Sequence, residues 1–258
     1  MMKSRRRFYL PGDLRHQRTV ILEGQEAHHL QRVLRMRPGE ELVMLDGSGC
    51  EFPGRIKGFS GSRVIVELEM AVAGGAEPPL PVTLAQGIPK GDRMELIIQK
   101  GTELGLARLV PLITARTVVR LGPERSGNRI PRWQRVAAES AKQCRRSRPP
   151  QIDPVCTLKE ALKMVPHGAL ALIPWEGEGG VWLKERLRVE NLREKTEVWI
   201  FVGPEGGWEP AEVELARSAG VVPVTLGPRI LRTETAALAM LSILMYEGGD
   251  LGEAGHGR

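Results

Sequence analysis

The chain has 258 residues, of which 41% are hydrophobic and 26% charged, and its formal net charge is +6. This apolar share is enough for a packed core and argues against a disordered chain. No stretch approaches the roughly 18 apolar residues that cross a bilayer, and no apolar run follows the basic N-terminus as it does in a secretory signal. Three widely spaced cysteines form neither a disulfide framework nor a CxxC metal pattern. We therefore expect a cytoplasmic protein without a metal.

Residues 1–73 have the pattern of a small β-rich domain. The runs VILEG, EELVMLDGSG and SRVIVELEM alternate in part between apolar and polar residues and are separated by glycine. Between the first two runs, AHHLQRVLRM places apolar residues at helical spacing and predicts one short helix. Residues 74–80 combine glycine with prolines, which predicts a linker.

From residue 81 to residue 248 the pattern changes to strands that alternate with helices. Asp92 can cap a helix after the strand PVTLAQG, a second helix begins near Pro131, and Thr157 with Glu160 forms a capping box for a third. The apolar runs ALALIP, EVWIFVG and VVPVTLG predict three buried strands, and residues 233–246 predict a buried final helix. Alternation of this kind predicts a mostly parallel sheet that is covered on both faces.

Positive charge is concentrated between Arg116 and Arg148, where ten basic residues face only Glu124 and Glu139. Arginine dominates the segment, and its planar guanidinium favours bidentate contact with phosphate. Residues 5–7 form a second, smaller arginine cluster. The charge pattern favours a polyanionic partner such as RNA, although a solvated helix face would have the same composition.

Chemistry is expected in three loops that follow predicted strands, because ligands of parallel sheets bind at the carboxyl ends of strands. The loops span residues 173–177, 202–208 and 226–236. Glycines in GPEGG, at 203–207, let the backbone approach a ligand closely. Each segment, taken alone, could also be a tight turn or a helix cap.

Known nucleotide and metal fingerprints are missing from the sequence. It has no GxxxxGK[ST], no early GxGxxG and no HExxH, and its five histidines are scattered without a readable Ser-His-Asp set. What remains is a glycine-rich site for a ligand other than a nucleotide phosphate, beside a basic surface.

Two strings near the C-terminus, GPEGGW at 203–208 and LGPRILRTETAAL at 226–238, resemble the last two motifs of the SPOUT-superfamily RNA methyltransferases. More narrowly, the chain resembles the RsmE family, which methylates N3 of a uridine in 16S ribosomal RNA. QKGTELGL at 99–106 and AAESAKQCRRSRPP at 137–150 are similar to the upstream segments of that family. The second of these departs from the pattern, because a glutamine is expected nearer the arginine pair.

The N-terminal region carries the same resemblance. RRFYL and the segment at 28–49 are similar to the family's PUA-like domain, so the likeness runs in order along most of the chain. The resemblance implies an α/β fold, a SPOUT-type parallel sheet with a C-terminal trefoil knot, plus a small N-terminal PUA-like β-barrel. It also implies a homodimer, with a PUA-like domain at 1–73, a methyltransferase domain at 81–248 and a tail at 249–258.

The resemblance further implies that the three loops bind S-adenosylmethionine (SAM). The residues carried over as cofactor-binding are Leu172, Ile173, Gly203, Glu205, Gly207, Leu226, Gly227, Arg229, Ile230, Leu231 and Thr235.

Catalysis would require deprotonation of a weakly acidic ring nitrogen and stabilisation of the negative charge that develops. Arg232 or Arg229 of the third loop could supply the positive charge, and so could Arg145 or Arg146 of the basic helix. The candidates for a general base are Glu103, Glu205 and Glu234. The residues expected to bind RNA are Arg5, Arg6, Arg7, Arg32, Arg35, Arg145 and Arg146.

Two other functions stay open at this point. A non-catalytic RNA-binding protein of ribosome assembly would use the same basic surface, but it would not need the two glycine-rich motifs. A SPOUT enzyme that methylates the ribose 2′-OH of transfer RNA would share GPEGG. The small ribosomal subunit is the expected partner of an RNA-binding assembly protein, and also of an RsmE-type methyltransferase.

Overall fold

The structure is a computed structural model that describes residues 5–117, 129–177 and 180–251. The chain folds into two compact units. The first comprises the described residues up to Glu77 together with Ala141–Pro149, and the second comprises the rest. A single linker at 74–80 does not capture this division, because Ala141–Pro149 returns to the first unit. Arg120, Glu124, Arg125 and most of the tail lie outside the described residues.

The first unit is built on one six-stranded sheet. Its strands are β1 (Arg6–Tyr9), β2 (Thr19–Leu22), β3 (Glu41–Leu45), β4 (Cys50–Ser60), β5 (Arg63–Leu68) and β6 (Val72–Ala73). They lie in the order β1-β3-β4-β5-β2, with β6 paired to β4. The helix expected within AHHLQRVLRM is present: α1 (Gly24–His28) begins three residues earlier and continues into one π-helical turn over His29–Val33.

Alternation in the strands explains the core of this unit. In β5, Val64, Val66 and Leu68 are buried while Arg63 and Glu67 are exposed, so one face of the strand points inward. These side chains join a single apolar cluster with residues of β1 to β4 and of the helix. The first unit therefore has a hydrophobic core of its own.

The second unit is built on a larger sheet flanked by helices. Its strands are β7 (Val82–Gly87), β8 (Arg108–Ile113), β9 (Gln151–Ile152), β10 (Cys156–Thr157), β11 (Leu170–Pro174), β12 (Val181–Trp182), β13 (Val198–Val202) and β14 (Val222–Thr225). Its helices are α2 (Arg93–Glu103), α3 (Arg129–Gln143, whose last three residues belong to the first unit), α4 (Leu158–Met164), α5 (Leu183–Arg188), α6 (Pro210–Ser218) and α7 (Thr233–Glu247), with one 3-10 turn at Leu192–Glu194.

The strand order is β10-β8-β7-β13-β11-β14-β12, with β9 also paired to β8, and the pairings along this path are parallel. Every residue of β13 is buried. Val198 and Ile200 face one apolar cluster, and Trp199 and Phe201 face another on the opposite side of the sheet. The prediction of a parallel sheet covered on both faces is confirmed.

Most predicted helix starts are also present. Thr157 and Glu160 form the expected capping box, and α7 covers the predicted final helix. Asp92 immediately precedes α2, but its side chain makes no capping hydrogen bond. The helix expected from Pro131 already includes Arg129, the first residue described after the gap.

The topology brings the three predicted loops to one edge of the sheet. Strands β13, β11 and β14 are neighbours and run in the same direction, so the loops that follow them emerge side by side. After β14 the chain returns across the sheet, and α7 packs against α2, β7 and β13. In the described ranges, no helix is both long and apolar enough to cross a membrane.

Candidate active site

A cleft of about 470 Å³ opens at the carboxyl edge of the parallel sheet. The loops after β11, β13 and β14 form its walls, and the first residue of α2 completes it. The lining residues are Arg93 and the segments 174–176, 203–208, 225–227 and 229–233.

Close packing or a positive φ makes side chains unfavourable at the glycines of the GPEGG loop. A Cβ on Gly203 would lie 3.1 Å from the carbonyl carbon of Gly207, and Gly207 itself has a φ of +69°, which favours glycine. A Cβ on Gly87, at the end of β7, would lie 2.6 Å from the nitrogen of Pro204. These glycines let the backbone turn tightly and face the cleft directly.

Glu205 ties the GPEGG loop to the segment between β7 and α2. Its carboxylate accepts hydrogen bonds from the backbone N–H of Lys90 at 2.9 Å and from the guanidinium of Arg93 at 2.5 Å. Burial opposes ionisation, but these bonds and one from its own N–H outweigh it and lower the pKa of Glu205. The ionised side chain therefore holds the GPEGG loop in place and is a poor proton acceptor.

A buried hydrogen-bond network lies beneath the same loop. The hydroxyl of Thr233 donates to the carbonyl of Gly203 at 2.6 Å and accepts from the amide nitrogen of Gln86 at 2.9 Å. Gln86 also donates to the carbonyl of Gly87 at 2.8 Å. This network joins the end of β7, the start of the GPEGG loop and the first residue of α7.

The third loop presents positive charge at the mouth of the cleft. Arg229 and Arg232 are exposed and line the cleft, and Ile230 between them is 82% exposed. Gly227 has a φ of +130°, so the backbone bends sharply where the loop leaves β14. The two guanidinium groups can meet an anion that approaches from solvent.

The predicted carboxylates differ in position. Glu234 is mostly buried at the start of α7: one carboxylate oxygen lies 4.0 Å from Arg93, and the other is buried without a hydrogen-bond partner among the described residues. Glu103 is exposed at the far end of α2, where it pairs with Lys100. Because α2 has 11 residues and rises about 1.5 Å per residue, Glu103 lies roughly 15 Å along the helix from Arg93. The structure does not bring Glu103 to the cleft.

Most of the predicted cofactor residues line the cleft, and three do not. Leu172 and Ile173 are fully buried inside β11, so the first loop contributes residues 174–176 instead. Thr235 is exposed and does not line the cleft, whereas Thr233, two residues earlier, does. The predicted residues that line the cleft are Gly203, Glu205, Gly207, Leu226, Gly227, Arg229, Ile230, Leu231 and Arg232.

Sequence reasoning missed Gln86 and Arg93, and it placed Trp175 and Thr233 in predicted loops without naming them as site residues. Gln86 ends a predicted strand, where its polar side chain among apolar neighbours was the available signal. Thr233 is the first residue of the TET string and was treated only as a possible cap or ligand contact. Trp175 follows a predicted buried strand, which was the available signal, whereas Arg93 carries no local pattern that distinguishes it from a surface residue.

The predicted RNA-binding arginines, although distant in sequence, all lie in the first unit. Among them, Arg7 is half-buried and pairs with Glu51, whereas Arg146 is only 4% exposed and pairs with Glu77 at 2.9 Å. The expectation that Arg146 contacts RNA is not supported, because its guanidinium is enclosed within the fold. The exposed members are Arg5, Arg6, Arg32, Arg35 and Arg145.

Part of the remaining basic segment also serves the fold. Arg116 donates to the carbonyl of Gly206 at 2.8 Å, and Lys142 pairs with Glu26. Within the described ranges, no group of three or more His, Cys, Asp or Glu side chains could hold a metal ion.

Comparison with known proteins identifies the family. A family model for an RNA methyltransferase domain matches residues 76–245, and one for an RNA methyltransferase PUA domain matches residues 22–69. Ribosomal RNA small subunit methyltransferase E from Bacillus subtilis is 34% identical, over 89% of this chain and 90% of the relative. This chain belongs to the ribosomal RNA small subunit methyltransferase E family.

Solved members and neighbours of this methyltransferase family share the whole fold. Methyltransferase E from Neisseria gonorrhoeae, bound to S-adenosyl methionine, is 36% identical with a TM-score of 0.84, over 93% of this chain and 96% of that one. A methyltransferase from Legionella pneumophila in complex with SAM is 32% identical with a TM-score of 0.84, over 95% and 98%. The sequence-based assignment to this family is confirmed.

Proposed function

We propose that this chain transfers the methyl group of SAM to N3 of a uridine in 16S ribosomal RNA of the small subunit. The observation that carries the proposal is the cleft at the carboxyl edge of the sheet, where two glycine-rich loops meet beside two exposed arginines. A protein that only binds RNA has no need of such a cleft. Two solved structures that cover almost the whole chain bind SAM, and the curated relatives act on small-subunit ribosomal RNA.

The cleft fits SAM by its size and chemistry. Its volume falls within the range of small-molecule sites, and its walls combine exposed backbone with Trp175 and Leu226. A side chain on Gly203 would press on the backbone of Gly207, and one on Gly207 would be strained by its positive φ. Backbone groups of the loops would hold the cofactor's polar groups. When bound, SAM supplies an electrophilic methyl group.

The chain's own residues would orient the uracil ring and favour its anion. Arg232, with Arg229 beside it, would donate hydrogen bonds to a uracil oxygen and stabilise the negative charge that develops. Correct positioning of the two reactants can supply roughly 7–11 kcal/mol of the barrier. Among the three carboxylates, we propose Glu234 as the proton acceptor, because Glu205 holds the GPEGG loop in place and Glu103 lies at the opposite end of α2.

The first unit would grip the RNA backbone. Arg5, Arg6, Arg32, Arg35 and Arg145 are exposed there and can pair with phosphates. The match to a PUA domain model supports a PUA-like barrel, as does a sheet that encloses one apolar cluster. The second unit would carry out methyl transfer.

We also propose a C-terminal trefoil knot and a homodimer. The return of the chain from β14 to pack α7 against α2 and β7 supports the knot. Exposed Leu96 on α2, with Ile243 and Tyr246 one turn apart on α7, supports the dimer, because burial would remove these side chains from water. A ribosomal substrate favours action in the cytoplasm.

Undermethylated small subunits, incubated with the protein and labelled SAM, test the proposed function. Digestion to nucleosides and mass spectrometry should show 3-methyluridine. Arg232→Gln should reduce the rate at least tenfold, while Arg217→Gln, on the exposed surface of α6, should not. Label in a ribose 2′-O-methyl nucleoside, or no label with folded protein, would contradict the proposal.

A further inference from the structure

Trp182 is an exposed tryptophan beside the cleft, and the functions described above do not use it. It lies in β12, the edge strand of the large sheet, and 51% of its surface is exposed. Strand β12 pairs in parallel with β14, so that Trp182 lies opposite Thr225. Thr225 lines the cleft. The edge strand therefore brings the indole next to a wall of the cleft.

The alternation of the strands determines which face of the sheet Trp182 occupies. Val224 belongs to the apolar cluster on one face, so Thr225, the next residue, points to the other. Residues paired directly across neighbouring strands project to the same side. Trp182 therefore shares its face with Thr225, whereas Val181 lies opposite Val224.

Trp175 extends this arrangement on the other side of β14. Pro174 pairs with Val224, and the N–H of Trp175 donates to the carbonyl of Val224 at 3.0 Å, so the ladder continues. Trp175 lines the cleft and packs against the apolar cluster on the face of Thr225. Trp175, Thr225 and Trp182 thus form one row across three strands, and the row ends in an exposed indole.

The surroundings of this indole fit a nucleic acid. The loop that follows Thr225 carries exposed Arg229 and Arg232. An exposed aromatic ring together with exposed guanidinium groups is the combination on which bases of single-stranded RNA stack while their phosphates are neutralised. The exposed parts of Trp182 and Val181 together provide far less apolar area than a stable protein interface requires.

We propose that Trp182 stacks on a base of the substrate RNA and so presents the strand to the cleft. This inference rests on the proposed function, since it supplies a binding contact for the same substrate. It adds a contact from the second unit to those that the arginines of the first unit would make with phosphate.

Three variants test the proposal. Trp182→Ala removes the ring, Trp182→Phe keeps an aromatic face, and Val181→Ala alters the same edge strand on its other face. We expect Trp182→Ala to weaken binding of a uridine-containing single-stranded RNA, and to raise KM for the small subunit, by roughly fivefold to a hundredfold. Trp182→Phe should retain most of the affinity, and Val181→Ala should match wild type. SAM affinity should stay unchanged in all three.

Fluorescence gives an independent signal, because RNA should quench tryptophan emission in the wild type and less in Trp182→Phe. Unchanged RNA affinity in folded Trp182→Ala, with active wild type, would overturn this inference and leave the proposed function intact. Loss of SAM affinity would assign the indole to the cofactor, and a change in oligomeric state would assign it to a second copy; either result overturns the proposal. A wild type that binds RNA through Trp182 but never methylates would contradict the proposed function alone.

Discussion

Glu205 was a candidate general base, but its contacts hold the GPEGG loop in place. Its carboxylate joins the GPEGG loop to Lys90 and Arg93, and its lowered pKa keeps it ionised at neutral pH. Because the folded-state pKa is depressed, its contribution to stability is present above the ordinary glutamate pKa and is lost only as pH falls through the lowered value.

Glu205→Gln should therefore loosen the loop without removing a base. We expect KM for SAM to rise roughly fivefold to tenfold, with little change in kcat, because charge-assisted hydrogen bonds are replaced by neutral ones. The pH dependence of kcat between pH 6 and pH 9 should keep its shape. Steady-state kinetics measure both quantities, with exposed Glu214→Gln on α6 as the control. A collapse of kcat together with a flattened pH profile would show that Glu205 is the base.

Arg145 occupies a backbone position that glycine would fill at lower cost. It follows α3 with a φ of +67°, while the N–H of Arg146 donates to the carbonyl of Ala141 at 2.9 Å, as in a Schellman motif. A side chain in this conformation is strained by about 1 kcal/mol. The proposed contact with an RNA phosphate would account for an arginine at this exposed position.

Arg145→Gly should consequently raise the free energy of unfolding by about 0.5–1 kcal/mol and weaken RNA binding. Arg145→Gln removes the charge without relieving the strain, so it should weaken RNA binding with no gain in stability. Both variants should reduce the slope of log K against log salt by about 0.7–0.9, the value for one phosphate contact. Denaturant unfolding and salt titrations provide the measurements. If both variants bind RNA as the wild type does, Arg145 has no such contact.

Among the elements, β7, the GPEGG loop and α7 are joined by the hydroxyl of Thr233. Thr233→Val removes the bonds of this hydroxyl to the carbonyl of Gly203 and to the amide of Gln86, although the amide keeps its bond to the carbonyl of Gly87. Loss of the buried hydroxyl should cost about 1–3 kcal/mol of stability. SAM affinity should fall as well, because the loop start is released. Thr233→Ser keeps the hydroxyl and should retain both properties in calorimetry and denaturant unfolding. Equal behaviour of the two variants would mean that the hydroxyl does not hold the loop.

Elements set by local signals could be predicted from the sequence, and pairings between distant segments could not. The capping box at Thr157 and the buried strands β11, β13 and β14 depend on neighbouring residues only. Gln86 and Thr233 are 147 residues apart, and no periodic pattern links them. Glu103 was misplaced because a motif does not tell which end of α2 faces the cleft.

The same limit applies to domain boundaries. Arg146 and Ser147 donate to the carboxylate of Glu77, which anchors Ala141–Pro149 in the first unit. The composition of this segment predicted exposed basic side chains, whereas Arg146 is buried in an ion pair with Glu77. Because Glu77 is 69 residues away in sequence, no local pattern shows whether Arg146 is buried or faces solvent.

The whole molecule is expected to self-associate through the exposed side chains of Leu96 on α2 and of Ile243 and Tyr246 on α7. Ile243→Glu places a charge among these side chains and should convert a dimer into a monomer in sedimentation analysis, since burial of an unpaired carboxylate is costly. Ile21→Glu, on an exposed site of β2, is the matched control and should stay dimeric. A monomeric wild type, or a dimeric Ile243→Glu variant, would contradict the proposed dimer.

Calorimetric titration with SAM determines whether the loops after β11, β13 and β14 form a SAM site. We expect one site per chain in the wild type. Gly203→Leu should lose SAM binding, because its side chain would collide with Gly207 and Trp208, while RNA affinity is retained. Folded wild-type protein that gives no binding heat, or a Gly203→Leu variant that binds SAM as tightly as wild type, would contradict a SAM site in these loops.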